Sequence, residues 1–494
     1  MLKTNNLLCI YQEGFINMGE EIKNSFFCDD DYAKFHDHLQ TELKNLTIAF
    51  EQSQFGCDEA MCGIEQEAWI VDEHNLPVPK NEYLLNNCDC EFLSPELAKF
   101  NIELNVTPQA ISGHGLRDMH TQLDQLWKQC NDVLSNESLR LYMTGILPTV
   151  HDDQLVTENI SPLNRYFALN EQVLKSRKGK PLCLDIVGTE HLRSIHEDVM
   201  LESAATSFQI HRQIPVNKSA RYYNSAIILS APLVAASANS PYLFGKQLWD
   251  ETRIPIFEQA VEVGGYGDAA HGPIRRVTFG SGYVRENVLE CFQENFDHYP
   301  VLLPTSLDDK SSFFPHLRMH NGTIWRWNRP LLGFGENGEL HFRIEHRVVP
   351  AGPTSLDEMA NAFFFYGLHE YLSCQKVAPE HSMSFSEAKN NFYSAAQHGL
   401  NAKISWFEKG KVPISHLILN TLIPFAIEGL NMLDVNQEDI KEYIGIIRDR
   451  VETKTNGAQW QKACVKKYGH DMETLAGKYI EGQESSLPVH QWVL

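Results

Sequence analysis

Residues 62–72, CGIEQEAWIVD, alternate in a way that predicts a β-strand. Successive strand side chains point to opposite faces, so Glu65 and Glu67 share one face while Ile64, Ala68 and Ile70 take the other. The strand rise puts the two acids about 7 Å apart. The same alternation returns three times. In residues 99–109, Glu103 and Asn105 oppose Ile102, Leu104 and Val106. In residues 205–215, Ser207, Gln209, His211 and Gln213 oppose Phe208, Ile210 and Ile214. In residues 339–350, His341, Arg343, Glu345 and Arg347 oppose Phe342, Ile344 and Val348. Between these strands, spacing by three and four predicts helices over residues 18–53 and 115–136. An apolar run at 225–241, interrupted by Pro232 and polar residues, reads as a buried helix rather than a membrane span. From about residue 355 onward the pattern is mainly helical. The whole reads as an α+β chain with a sheet body and a helical C-terminal part packed on it. The divisions expected are 1–50 (N-terminal extension and helix), 51–380 (antiparallel-sheet body) and 381–494 (helical part).

Composition narrows the class. The chain has 494 residues, 43% hydrophobic and 21% charged, which fits a folded globular protein. Its net charge of −22 repels phosphate backbones, so nucleic acid is not an expected partner. The short apolar run at the N-terminus is too brief for a signal peptide or a membrane anchor, and Met18 is an alternative start. The odd count of 11 cysteines, without paired spacing, fits a reducing compartment, and a cytoplasmic location is expected. Cys57, Cys62, Cys88 and Cys90 raise a zinc reading against ordinary thiols, although their spacing matches no standard zinc motif.

The four polar faces carry the chemistry. Two carboxylates on one face repel each other, and burial raises their pKa values unless a cation neutralises them. A solvated sheet face also alternates, and that is the competing explanation. Such faces are usually rich in Lys, Thr and Ser, whereas the positions named here carry mainly acids, amides, His and Arg, with Ser207 and no Lys. Glu345 lies between Arg343 and Arg347 on one face, and Arg326 and Arg329 lie upstream. Arginine forks bind carboxylate and phosphate, although each could instead pair with one of the chain's many acids. Acids for a hard divalent cation beside arginines for anions describe an ATP phosphate site. No GxxxxGK[ST] loop is present, and the glycine-rich residues 261–268 follow a predicted helix and read as a loop near the site.

The ordered segments GIEQEAW, FNIELNVTP, ESAATSFQIHRQI, GTIWRWNRP and FRIEHRVVPAGPT, followed by GIIRDRVETKTNGAQWQ, resemble the type-2 glutamate–cysteine ligases, carboxylate–amine ligases of the glutamine synthetase-like superfamily. The resemblance covers roughly residues 50–494. It implies a curved antiparallel sheet forming a funnel, with helices packed outside. It also implies chemistry in which ATP and Mg²⁺ (or Mn²⁺) phosphorylate the γ-carboxylate of L-glutamate, and an amine such as that of L-cysteine attacks the acyl phosphate. By the same resemblance Glu65, Glu67, Glu103 and Glu345 match metal ligands, and Glu65, Glu345 and Arg347 are the expected catalytic groups. Gln209 and His211 match a His-x-His pair that meets metal and nucleotide phosphates, so Gln209 is a departure. Arg326 and Arg329 are looser matches for nucleotide contacts. The alternatives are another amine, small or on a protein, and a nucleotide-binding member without turnover. A homo-oligomer is a further expectation from the superfamily.

Overall fold

The computed structural model describes residues 21–56, 60–263, 275–307, 313–335 and 338–494. Its centre is one antiparallel sheet. The strands are β1 (Met61–Val71), β2 (Leu93–Pro95), β3 (Asn101–Asn105), β4 (Gln109–Ala110), β5 (Arg140–Tyr142), β6 (Phe208–Ile214), β7 (Asn328–Phe334) and β8 (Leu340–His346). The order is β7-β8-β6-β1-β3-β2, and β4 and β5 pair with the two ends of the long β1. All four strands expected from alternation are present and pair as neighbours.

The apolar faces explain why the sheet forms. Ile64, Ala68, Ile102, Leu104, Ile210, Phe342 and Ile344 are buried within a single apolar cluster that extends from Ile22 to Trp492. That cluster includes two long helices buried almost all round, α3 (Ser219–Ser237) and α5 (Ser355–Ser373). The expected 225–241 helix begins earlier, and Pro232 lies inside it. Tyr366 of α5 donates to the main-chain carbonyls of His211 (2.9 Å) and Gly63 (3.2 Å), pinning β6 and β1 from behind. α5 is capped by Thr354, whose hydroxyl accepts from Asp357 N–H.

The remaining labelled helices are α1 (Asp29–Glu51), α2 (Gly115–Leu134), α4 (Pro315–Gly322), α6 (Phe385–His398), α7 (Ile423–Met432), α8 (Gln437–Glu452), α9 (Gly457–Tyr468) and α10 (Met472–Glu484). Of the 18–53 segment, residues 21–28 are not helical, because three acids, Asp29, Asp30 and Asp31, start the helix. The alternative start at Met18 and residues 264–268 of the glycine-rich loop lie outside the described residues. In α8, Arg450 binds Asp357 Oδ1 (2.8 Å) and Asn361 Oδ1 (2.6 Å), and Asn456 binds the carbonyl of Ala235 (3.0 Å). The C-terminal motif therefore serves packing onto α3 and α5. No helix among the described residues is long and apolar enough to cross a membrane.

Every described cysteine is a free thiol. The zinc grouping does not form among the described residues. Cys62 is buried on β1, where its thiol meets the carbonyl of Gln109, while Cys88 hydrogen-bonds Cys130 of α2. Cys57 lies outside the described residues.

Candidate active site

Strand register turns four separate alternations into one polar lattice. Across the sheet, Arg329 faces Glu345, which faces His211. In the next row Gln209 faces Glu65, which faces Asn105. In the third, Ser207 pairs with Glu67, which faces Glu103, which faces Ser94. Neighbouring strands are about 4.8 Å apart, so residues remote in sequence become adjacent. Gly333 of β7 makes room on this face: a Cβ there would lie 2.4 Å from His341 Nε2 and 2.7 Å from Arg343 Nη1.

Glu65, His211 and Glu345 form a buried trio whose ligand atoms lie within 4.8 Å of one another, the single such cluster among the described residues. His211 Nε2 is 3.1 Å from Glu65 Oε1, and neither ring nitrogen of His211 has a hydrogen-bond partner. Two carboxylates and an imidazole that makes no hydrogen bond fit a divalent cation such as Mg²⁺ or Mn²⁺. His211, expected at the phosphates, stands beside Glu65 and Glu345, two of the expected metal ligands.

The other acids are engaged differently. Glu67 accepts from Ser207 N–H (2.7 Å), Ser207 Oγ (2.7 Å) and the Gln209 amide (2.9 Å). Gln209 therefore spends its NH₂ on Glu67, and its Oε1 is buried with no partner, leaving one lone-pair donor in the cavity wall. Glu103 accepts from Asn105 (2.9 Å) and shares a hydrogen bond with Glu96. Asn105 thus supports the neighbouring acid on its own strand.

Electrostatics divide the site. Burial pushes Glu103 up to about 8, helped by the charge on Glu65, and pushes Glu202 up to about 8, helped by Glu67. Glu96 is raised well above the usual carboxylate range by burial and by Glu67 and Glu103, and Glu67 is raised by burial. Burial alone would raise Glu345 too, but Arg329 and Arg347 overcome it and hold that carboxyl down at about 2. Arg329 grips Glu345 through two parallel bonds, Nε–Oε2 and Nη2–Oε1, both 2.8 Å. Arg347 Nη1 is 3.7 Å from Glu345 Oε2 and has no hydrogen-bond acceptor, so a buried donor is open to an anion. Its strand end is fixed by Arg253, which donates to the carbonyls of Arg347 (2.8 Å) and Val349 (3.2 Å).

Glu65, Glu67, Glu103, Gln209, Arg329, Glu345 and Arg347 line a cavity of about 470 Å³, whose lining does not include His211. Its wall carries acids (Glu65, Glu67, Glu91, Glu96, Glu103, Glu202, Glu345) and arginines (Arg165, Arg318, Arg329, Arg343, Arg347). Arg326 is not in that wall. Its neighbour Trp325 lines the cavity, and on extended chain the adjacent residue points away. Arg326 instead bonds Asn295 Oδ1 (2.9 Å) and lies 3.4 Å from Glu294. Sequence reading did not single out Arg318, Glu96 or Glu202. They come from a short helix, a strand edge and a 3₁₀ turn, where no period-2 pattern marks them.

The family model for glutamate–cysteine ligase family 2 (GCS2) matches residues 61–481. No curated protein sequence matches the chain significantly. Among solved structures, a bifunctional glutathione synthetase from Pasteurella multocida is similar with a TM-score of 0.53 at 11% identity, over 92% of this chain and 54% of that one. The likeness shows a shared fold, and the present chain aligns with about half of that protein. A glutamate–cysteine ligase from Francisella tularensis in complex with AMP aligns at TM-score 0.49 and 11% identity, over 89% of this chain and 96% of that one.

Proposed function

The chain belongs to glutamate–cysteine ligase family 2, an ATP-dependent carboxylate–amine ligase, and on that premise we propose that it phosphorylates the γ-carboxylate of L-glutamate and couples it to the amine of L-cysteine. The products would be γ-glutamylcysteine, ADP and phosphate. One observation carries this reading: Glu65 and Glu345, which form a trio with His211, line one cavity together with Arg329, Arg343 and Arg347.

The chemistry has a simple demand. A carboxylate is a poor electrophile, and phosphorylation gives it a leaving group. Charge builds on the transferring phosphoryl oxygens, and fixed cations stabilise it without reorganisation. Mg²⁺ or Mn²⁺, held by Glu65, His211 and Glu345 with Glu67 and Glu103 beside them, would supply Lewis acidity toward the phosphate oxygens. Arg347 Nη1, buried and without an acceptor, is the protein's own donor for the phosphoryl group or the substrate carboxylate. Arg329 keeps Glu345 ionised and oriented through its fork. Ser207 and Gln209 orient Glu67 in the same way. Sheltering these groups from bulk water strengthens each interaction.

Phosphate release from ATP and Mg²⁺ with L-glutamate, with and without L-cysteine and then across a panel of amines, tests the proposal. Release requiring both glutamate and cysteine, with γ-glutamylcysteine seen by mass spectrometry, supports it. Dependence on a different amine keeps the site and changes the acceptor. Unchanged turnover in a Glu65→Gln/Glu345→Gln double variant would overturn the site assignment.

A further inference from the structure

Helix α1 contains an anomaly. Its buried stripe runs Phe35, Leu39, Leu43, Leu46 and Ala49, yet Glu42 lies in the same stripe and is only 3% exposed. A carboxylate in an apolar stripe costs free energy unless it is paired. Both of its oxygens are used. His316 Nδ1 is 2.7 Å from Oε1, and Leu317 N–H donates to Oε2 at 2.8 Å. These partners belong to the first turn of α4, whose unsatisfied N–H groups and positive dipole end favour an acid. Aromatic contacts reinforce the seat: His38 stacks on His316 at 4.5 Å, and Phe35 meets it edge-on at 5.0 Å.

α4 is also a wall of the cavity. Arg318 follows Leu317 directly and faces that space. At the far end of α4, the carbonyl of Gly322 accepts from Arg329 Nη1 (3.1 Å), while Asn321 Nδ2 donates to the carbonyl of Pro330 (3.0 Å). Glu42 therefore anchors one end of α4, and the strand that carries the Arg329–Glu345 fork anchors the other. Arg318 sits between the two anchors. α1 lies before residue 61, outside the segment that the family model matches.

We propose that Glu42 is a positioning residue for the anion wall: by seating the first turn of α4, it sets Arg318 where the ATP phosphates bind. The proposal rests on the reading that this wall takes those phosphates. It makes α1 part of the active-site assembly rather than an outer covering.

The test is equilibrium binding of Mg·ATP, with KM values for ATP and for the amine, on the full chain. The variants are Glu42→Ala, Glu42→Gln, Glu42→Asp, Arg318→Ala and the double variant Glu42→Ala/Arg318→Ala. Melting curves establish that each is folded at the assay temperature. Glu42→Ala is expected to weaken Mg·ATP binding about tenfold, because small misplacements of binding groups are costly. The KM for the amine should hardly change. Glu42→Gln keeps an acceptor for Leu317 N–H and should recover most of the loss. In the Arg318→Ala background, Glu42→Ala should add little, since its effect passes through that wall. A folded Glu42→Ala chain that binds Mg·ATP like the wild type overturns the proposal, as do fully multiplicative effects of the two single variants. If Glu42→Ala does not fold, Glu42→Asp decides, because it shortens the anchor by one methylene: wild-type binding by folded Glu42→Asp overturns the proposal. Failure of the wild-type chain itself to bind Mg·ATP removes the phosphate-site reading, and this proposal with it.

Discussion

At the scale of the residue, the site depends on what each polar atom is bonded to. Glu345 and Glu103 share a sheet face, yet one carboxyl is held at about 2 and the other is pushed to about 8. The difference is the neighbour: an arginine fork in one case, other acids in the other. Breaking the fork leaves a buried charge unpaired, so Arg329→Ala should destabilise the chain by roughly 3–5 kcal/mol, read by denaturant unfolding. A change within error would mean that the Arg329–Glu345 pair is solvated. Gln209 gives a milder test. Its amide orients Glu67, and Gln209→Leu should weaken Mn²⁺ binding about tenfold, measured by calorimetry, with the fold retained. Unaltered Mn²⁺ affinity would show that Glu67 needs no such support.

At the scale of the element, register decides everything, because the side-chain period of a strand is two. Inserting one residue between Phe208 and Gln209 would swing His211 to the helix-packed face and bring Arg212 toward the cavity. Loss of ATP turnover together with a broadened melting transition is the expected result, and retained turnover would refute the register. Helices far from the cavity behave differently. Asn436 caps α8 by accepting from Glu438 and Asp439 N–H. Asn436→Ala should cost about 1 kcal/mol of stability while leaving KM for ATP unchanged. A shift in that KM would tie α8 to the site.

At the scale of the whole molecule, the cavity concentrates carboxyls that folding must protonate or neutralise. Glu103 rises from 4.5 to about 8 on folding, and Glu202 does the same. A raised pKa means that the folded chain holds more protons than the unfolded one between those values. That stability is fully present below about pH 4.5 and is lost as pH climbs through about 8. Glu345 acts oppositely: its depressed value stabilises above 4.5 and loses that effect as pH falls toward about 2. With chelator present, the melting temperature should therefore fall as pH rises from about 5 to 8, and Mg²⁺ or Mn²⁺ should flatten the slope. A flat profile in chelator would mean that these acids are not buried together.

The sequence by itself determined the four strands, their apolar and polar faces, and the types of ligand they carry, because alternation is a local property set by backbone pleat. Glu65, Glu67, Glu103, His211, Glu345 and Arg347 were legible for that reason, and Arg329 only as an arginine upstream of the last strand. Tertiary structure alone decided which of them meet. Register put His211 with Glu65 and Glu345 and spent the amide of Gln209 on Glu67. It also brought in Arg318, Glu96 and Glu202 from elements without a periodic signature, and it set Glu42 of α1 against the first turn of α4. Each of these depends on pairing between segments tens to hundreds of residues apart, and no local spacing encodes that distance.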